Sequence, residues 1–196
     1  VGTKNITVPL NASGIATITT ADINDGSTDN CGIQSLVLSR TSFGCADTGN
    51  NLVWLTVTDV SGNRDSLAAI VRVVDQSAPV ALARNITVYL DGSGNAAITA
   101  ADVDNGSTDN CSIMSRTLDK TTFNCTSTGN NLVYLTVTDS SGNSSQAQAM
   151  VMVTDSMRPV VLTKNITVYL NASGNATITA ADVNNGSTDN CGIVSL

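Results

Sequence analysis

The six residues Gly26-Ser27-Thr28-Asp29-Asn30-Cys31 return as Gly106–Cys111 and again as Gly186–Cys191, a period of 80 residues. Asn5-Ile6-Thr7-Val8 keeps the same period at Asn85–Val88 and Asn165–Val168. Between Asn85–Asn110 and Asn165–Asn190, 22 of 26 positions are identical, and 17 of 26 between the first and second copies. A fixed period of this length means one folding unit repeated along the chain, so the function must be one that an array of similar units performs. The 196 residues divide into units at 1–77 and 78–157, with the first half of a third at 158–196. An 80-residue unit buries only a modest core, and half of one is incomplete. The chain therefore reads as a segment of a longer repeat protein.

Within a unit the pattern is that of strands. Ile6, Val8 and Leu10 alternate with polar neighbours, and Val53, Leu55 and Val57 alternate with Trp54, Thr56 and Thr58. Pro9 marks its strand as an edge strand, because proline cannot donate to a ladder. Further strands are expected at Ile15–Ile23, Ile33–Leu38, Thr41–Cys45 and Leu67–Val74, with a tight hairpin at Val60-Ser61-Gly62-Asn63. About seven short strands per unit, separated by turns every 8–12 residues, predict an all-β chain of tandem Ig-like antiparallel β-sandwich repeats. The Asp75–Pro79 and Asp155–Pro159 linkers are short and contain proline, so neighbouring units are expected nearly end to end.

The cysteines fall as Cys31/Cys45, Cys111/Cys125 and a lone Cys191, and the 14-residue spacing repeats. This predicts Cys31–Cys45 and Cys111–Cys125 disulfides, with the partner of Cys191 outside the chain; the alternative is buried free thiols. Such bridges imply an oxidising compartment.

Several motifs occur in a fixed order. Asn-Ile-Thr-Val is followed by Thr-Asp-Asn-Cys, then Leu-Thr-Val-Thr-Asp-x-Ser-Gly-Asn, then Val-x-Val-x-Asp ahead of a proline. In the first unit these include Asp29-Asn30-Cys31, Leu55–Asp59 with Ser61-Gly62-Asn63, and Asp75 before Pro79. The second has Asp109-Asn110-Cys111, Leu135–Asp139 with Ser141-Gly142-Asn143, and Asp155 before Pro159. The chain resembles the hyalin-type (HYR-like) Ig-like repeat along its whole length, as found in giant bacterial cell-surface adhesins and filament proteins. The resemblance implies adhesion or extracellular architecture, without catalysis.

Four aspartates recur in each full unit: Asp22/Asp102, Asp29/Asp109, Asp59/Asp139 and Asp75/Asp155. Calcium takes six to eight oxygen ligands and is well served by such loops. The expected ligands are Asp22, Asp29 and Asp59, and Asp102, Asp109 and Asp139, gathered at one end of a sandwich. The competing reading is that Asp, Asn, Ser and Gly here are turn residues bonded to their own backbone. Trp54 and Tyr134 lie on the outward parity of their strands and are candidates for contact with sugars or a neighbouring chain; the plain alternative is that they shield the sheet.

The chain has no histidine, which removes Ser-His-Asp and Cys-His catalysis. Nine scattered Lys and Arg in a chain of net charge −7 make no basic patch for nucleic acid. No run is apolar enough for membrane insertion. The expected function is the shaft of a long extracellular filament or surface adhesin, stabilised by disulfides and calcium. Its partners are neighbouring repeats or other copies of itself in a fibre. The alternative is a multivalent array binding glycans or cell surfaces.

Overall fold

The computed structural model describes residues 1–196. In the first repeat the strands are β1 (Ile6–Pro9), β2 (Ile15–Thr17), β3 (Ile33–Leu38), β4 (Ser42–Gly44), β5 (Gly49–Asp59) and β6 (Arg64–Val74). A one-turn helix, α1 (Thr20–Ile23), separates β2 from β3. The larger sheet has the order β1-β6-β5-β3, and β2 pairs with β4 in a smaller one. The alternation in β5 sets the core: Val53, Leu55 and Val57 point inward beside Ala69, Val71 and Val73 of β6. The small sheet contributes Ala16 and Phe43, which face each other in register, and Leu10, Ile18, Ile23 and Leu38 complete the cluster. Burying a branched or aromatic side chain of this kind contributes roughly 1.5–3 kcal/mol, so this cluster holds the small sheet to the large one.

The antiparallel expectation holds for β3–β5, β5–β6 and β2–β4. β1 differs: it runs parallel to β6, with Ile6 opposite Val71 and Pro9 opposite Val74. A tight turn can only join antiparallel neighbours, whereas β1 reaches β6 after the whole excursion through β2 to β5. β1 is an edge strand, the position where Pro9 is tolerated.

A second difference lies at Ile15–Ile23, expected as one strand. The strand stops at Thr17, and Thr20–Ile23 turns into α1. Thr19 is the cap: its N–H and Oγ1–H both donate to Oδ2 of Asp22, each at 2.7 Å. This reciprocal cap closes the turn and swings Ile23 into the core.

The second repeat follows the same order with β7 (Ile86–Tyr89), β8 (Asn95–Ala97), α2 (Ala100–Val103), β9 (Ile113–Leu118), β10 (Thr122–Asn124), β11 (Gly129–Asp139) and β12 (Ser144–Thr154). Its sheets have the orders β7-β12-β11-β9 and β10-β8, with β7 parallel to β12. In the third copy α3 (Ala180–Val183) forms, but Lys164–Leu170 makes no strand and Ile166 and Leu170 stay exposed. The same six residues, Asn-Ile-Thr-Val-Tyr-Leu, carry the strand β7 at Ile86–Tyr89 in the second repeat because β12 supplies a ladder. Extended backbone without a partner leaves its amides and carbonyls unpaired.

The chain forms two compact units that do not coincide with single sequence repeats. One contains residues 1–81, 107–116 and 137–145; the other contains 82–106, 117–136 and 146–196. The Asp-Asn-Cys loop and the long hairpin turn of the second repeat thus fold with the first.

Candidate functional site

The disulfides run across the repeat and not within it. Cys45 is bonded to Cys111, and Cys125 to Cys191, each pair 66 residues apart with Cα atoms 5.4 and 5.3 Å from each other. Cys31 is an exposed free thiol. The expected Cys31–Cys45 and Cys111–Cys125 bridges are therefore absent, and Cys191 has its partner inside the chain. The reason is visible in the first unit. The loop of Cys31 lies at the β5–β6 hairpin, where the amide of Val60 donates to the carbonyl of Gly32. Cys45 lies near the other end of β5, against the β1–β2 turn: its Sγ is 3.7 Å from the carbonyl oxygen of Gly14. An eleven-residue strand separates those ends by on the order of 30 Å, far beyond what a disulfide spans.

The loop carrying Cys111 is held in several places. Val80 and Thr108 exchange backbone hydrogen bonds at 2.7 and 3.1 Å. The amide of Cys111 donates to Oδ2 of Asp109 at 2.8 Å, and Nδ2 of Asn110 donates to the carbonyl of Asn11 at 3.2 Å. Asn110 also donates to Oδ1 of Asp75 at 3.3 Å.

These contacts bring three carboxylates together. One oxygen from each of Asp75, Asp109 and Asp139 lies within 4.8 Å of the others. Asp139 is completely buried and Asp75 is 8% exposed. Asp139 closes the β11–β12 turn: Oδ1 accepts from the amides of Ser141 and Asn143, and Oδ2 from Nδ2 of Asn143, all at 2.8 Å. Asn143 Nδ2 also reaches the carbonyls of Asp75 and Ser77 at 3.2 Å. Asp75 accepts from the amide of Ser77 through Oδ1 at 3.1 Å. Oδ2 of Asp75, Oδ1 of Asp109 and Oδ1 of Asn110 are buried with no hydrogen-bond donor. Such orphaned acceptors are uncommon in folded proteins.

Of the six aspartates expected to bind calcium, the structure gathers Asp109 and Asp139 and adds Asp75 to them. Asp22 and Asp102 are absent from the cluster because they are helix caps. Hydrogen bonds from the Thr19 and Thr99 hydroxyls, then from the same residues' amides, hold both carboxyls below the usual aspartate range. Asp29 and Asp59 line one shallow pocket with Asn63, Arg64 and Asp65, and no counterpart of Asp75 joins them there. In the other unit, Asn190 donates to Oδ1 of Asp155 at 3.2 Å and to the carbonyl of Asp91 at 3.1 Å. Its own Oδ1 is again a buried orphan. Asp75 was detectable in sequence as the recurrent acid ahead of each linker proline. That Asp109 and Asp139 would be its neighbours was not, since they come from the next repeat.

Trp54 lies on the outer face of β5, 47% exposed and opposite Ala68. Tyr134 is partly exposed on β11, its amide bonded to Oδ1 of Asp119 at 2.8 Å.

No family model and no curated protein matches the chain. Among solved structures it is similar to Drosophila N-cadherin EC1-4, with 14% identity and a TM-score of 0.40 over 78% of this chain and 48% of that one. It is also similar to protocadherin gammaB7 EC3-6, with 13% identity and a TM-score of 0.38 over 80% and 47%. The fibronectin(III)-like modules of CbhA from Clostridium thermocellum match at 11% identity and a TM-score of 0.27, over 78% and 91%. The chain spans about half the length of the cadherin and protocadherin chains it matches.

Proposed function

We propose that this chain is shaft material of a long extracellular filament or surface adhesin, built from hyalin-type repeats and stiffened by calcium. The observation that carries this reading is the path of covalent bonds. With cysteines joined 66 residues apart, tension entering at Cys45 crosses to Cys111, follows the backbone to Cys125 and crosses to Cys191. Each 80-residue period then transmits load through only the 14 residues from Cys111 to Cys125 and one disulfide. Stretched flat, 14 residues reach roughly 46–50 Å, whereas a whole period reaches roughly 260–290 Å. The unfolded array is therefore a short-linked cable that cannot pay out its length. This suits a part whose task is to hold a distal tip at a fixed distance. The two disulfides also support folding in an oxidising, extracellular setting. No helix is long and apolar enough to cross a membrane. Neighbouring repeats, or other copies in a fibre, are the partners this reading supplies.

The test is single-molecule extension of the full chain, held by its ends in chelator, before and after reduction. Two loops of 66 residues should be released, lengthening the fully extended chain by roughly 430–470 Å. A gain matching loops of 14 residues, or no gain, overturns the cable.

A further inference from the structure

The geometry points to a calcium site formed by Asp75, Asp109 and Asp139 with the side-chain carbonyl of Asn110, an inference that rests on the shaft reading for its role but not for its chemistry. Three carboxylate oxygens within 4.8 Å of one another carry like charge into a region where two of the residues are almost fully buried. Such charges repel strongly once water is excluded, and a bound cation is what makes the arrangement favourable.

The orphaned oxygens are the independent observation. Oδ2 of Asp75 belongs to a residue more than nine-tenths buried and meets neither solvent nor donor. Oδ1 of Asp109, on a residue that is only partly buried, likewise meets neither solvent nor donor. The amide of Asn110 is fixed in its orientation, because Nδ2 serves two acceptors, the carbonyl of Asn11 and Oδ1 of Asp75. Its Oδ1 is thereby committed to a place where no N–H or O–H arrives. Asn190 repeats this behaviour beside Asp155, so the orphan is a property of the motif and not of one copy. Acceptors that consistently lack a proton donor are suited to a metal ion.

The donor set selects the metal. All four side chains offer oxygen, with no sulfur or imidazole, which favours a hard cation over zinc or copper. Calcium accepts six to eight oxygens in irregular geometry, and three carboxylates plus an amide carbonyl supply much of that shell. Magnesium demands a near-octahedral shell and retains its waters, which a partly buried set from three separate segments serves poorly.

The four ligands come from the end of β6, from the Asp-Asn-Cys loop and from the end of β11. Calcium would tie these segments together beside the Cys45–Cys111 bridge. The counterpart set in this chain reaches only Asp155, Asp189 and Asn190, and the pocket of Asp29, Asp59 and Asp65 has no counterpart of Asp75, its acids not converging as Asp75, Asp109 and Asp139 do. The chain should therefore hold one tight calcium.

Calorimetric titration of the disulfide-intact 196-residue chain, stripped with chelator and then given calcium or magnesium chloride, tests this. The expected result is one saturable calcium equivalent, weakened at least tenfold by Asp75→Asn and by Asn110→Ala, with magnesium binding far more weakly. Calcium should also raise the melting temperature of the parent chain but not that of Asp75→Asn. Asp139 closes its own hairpin, so Asp75→Asn and Asn110→Ala carry the test. Absence of saturable calcium binding, or binding untouched by both variants, overturns the site. Because the extension measurement is made in chelator, it stands or falls separately.

Discussion

A Cβ built on Gly14 would stand 2.7 Å from Sγ of Cys45 and 2.7 Å from the carbonyl oxygen of Asn110. The glycine, at φ +71°, is thus the floor on which the disulfide and the incoming Asp-Asn-Cys loop rest. Gly26 has the same φ with nothing within 4 Å of its added Cβ. Gly26→Ala should cost only the left-handed backbone penalty, roughly 1–2 kcal/mol. Gly14→Ala should cost clearly more and slow formation of the Cys45–Cys111 bridge, as read by denaturant unfolding and by the rate of thiol loss on oxidation.

Removing the bridge should be expensive. A loop of 66 residues closed by a disulfide restricts the unfolded chain by about 4 kcal/mol in the chain-entropy account. Cys111→Ser is expected to lose stability of that order, whereas Cys31→Ser, which alters an exposed free thiol, should be nearly neutral. Urea denaturation of the two variants, with peptide mapping under non-reducing conditions, checks both the energy and the pairing.

Phe43 and Trp54 separate core from surface. Phe43 is 1% exposed and fills the space against Ala16, so Phe43→Ala should cost about 3–5 kcal/mol. Trp54→Ala, on the outer face, should stay within about 0.5 kcal/mol. If Trp54 binds sugars, its loss should abolish a glycan-array signal while leaving this stability unchanged.

Acid should weaken the fold in a definite window. The carboxyls of Asp22, Asp102 and Asp59 are held below the ordinary value of 3.8, first by side-chain hydrogen bonds from Thr19, Thr99 and Asn63. A carboxyl depressed in the folded state stabilises it fully above the unfolded value. That contribution is lost as pH falls through the folded value. Stability should therefore be flat on this account above about pH 5 and fall below 4, and Asp22→Asn should flatten the acid limb. Denaturation midpoints measured from pH 7 to pH 2 provide the check.

The sheet architecture was readable where local pattern and tertiary need coincide. Val53, Leu55 and Val57 declared their strand by alternation, and Pro9 declared an edge. Thr19 and Asp22 hid a cap inside what looked like a continuing strand, because alternation there ends in a threonine-rich run that suits either state. The cysteines were ambiguous for an arithmetical reason. In a period of 80, a spacing of 14 within a unit and one of 66 across the boundary recur equally well. Only the length of β5, which keeps Cys31 from Cys45, decides between them. The acid site inherited the same ambiguity: Asp109 and Asp139 were expected together, but their third member comes from the preceding repeat.

The parallel register of β1 on β6 has a mechanical meaning. Ile6 to Pro9 lie alongside Val71 to Val74 with both strands pointing the same way. Drawing the start of β1 and the end of β6 apart slides one strand along the other, so the whole short ladder resists in shear. An antiparallel pair pulled from adjacent ends would instead unzip one bond at a time. The four-residue patch at Ile6–Pro9 must therefore rupture before the bridge at Cys45 is drawn taut.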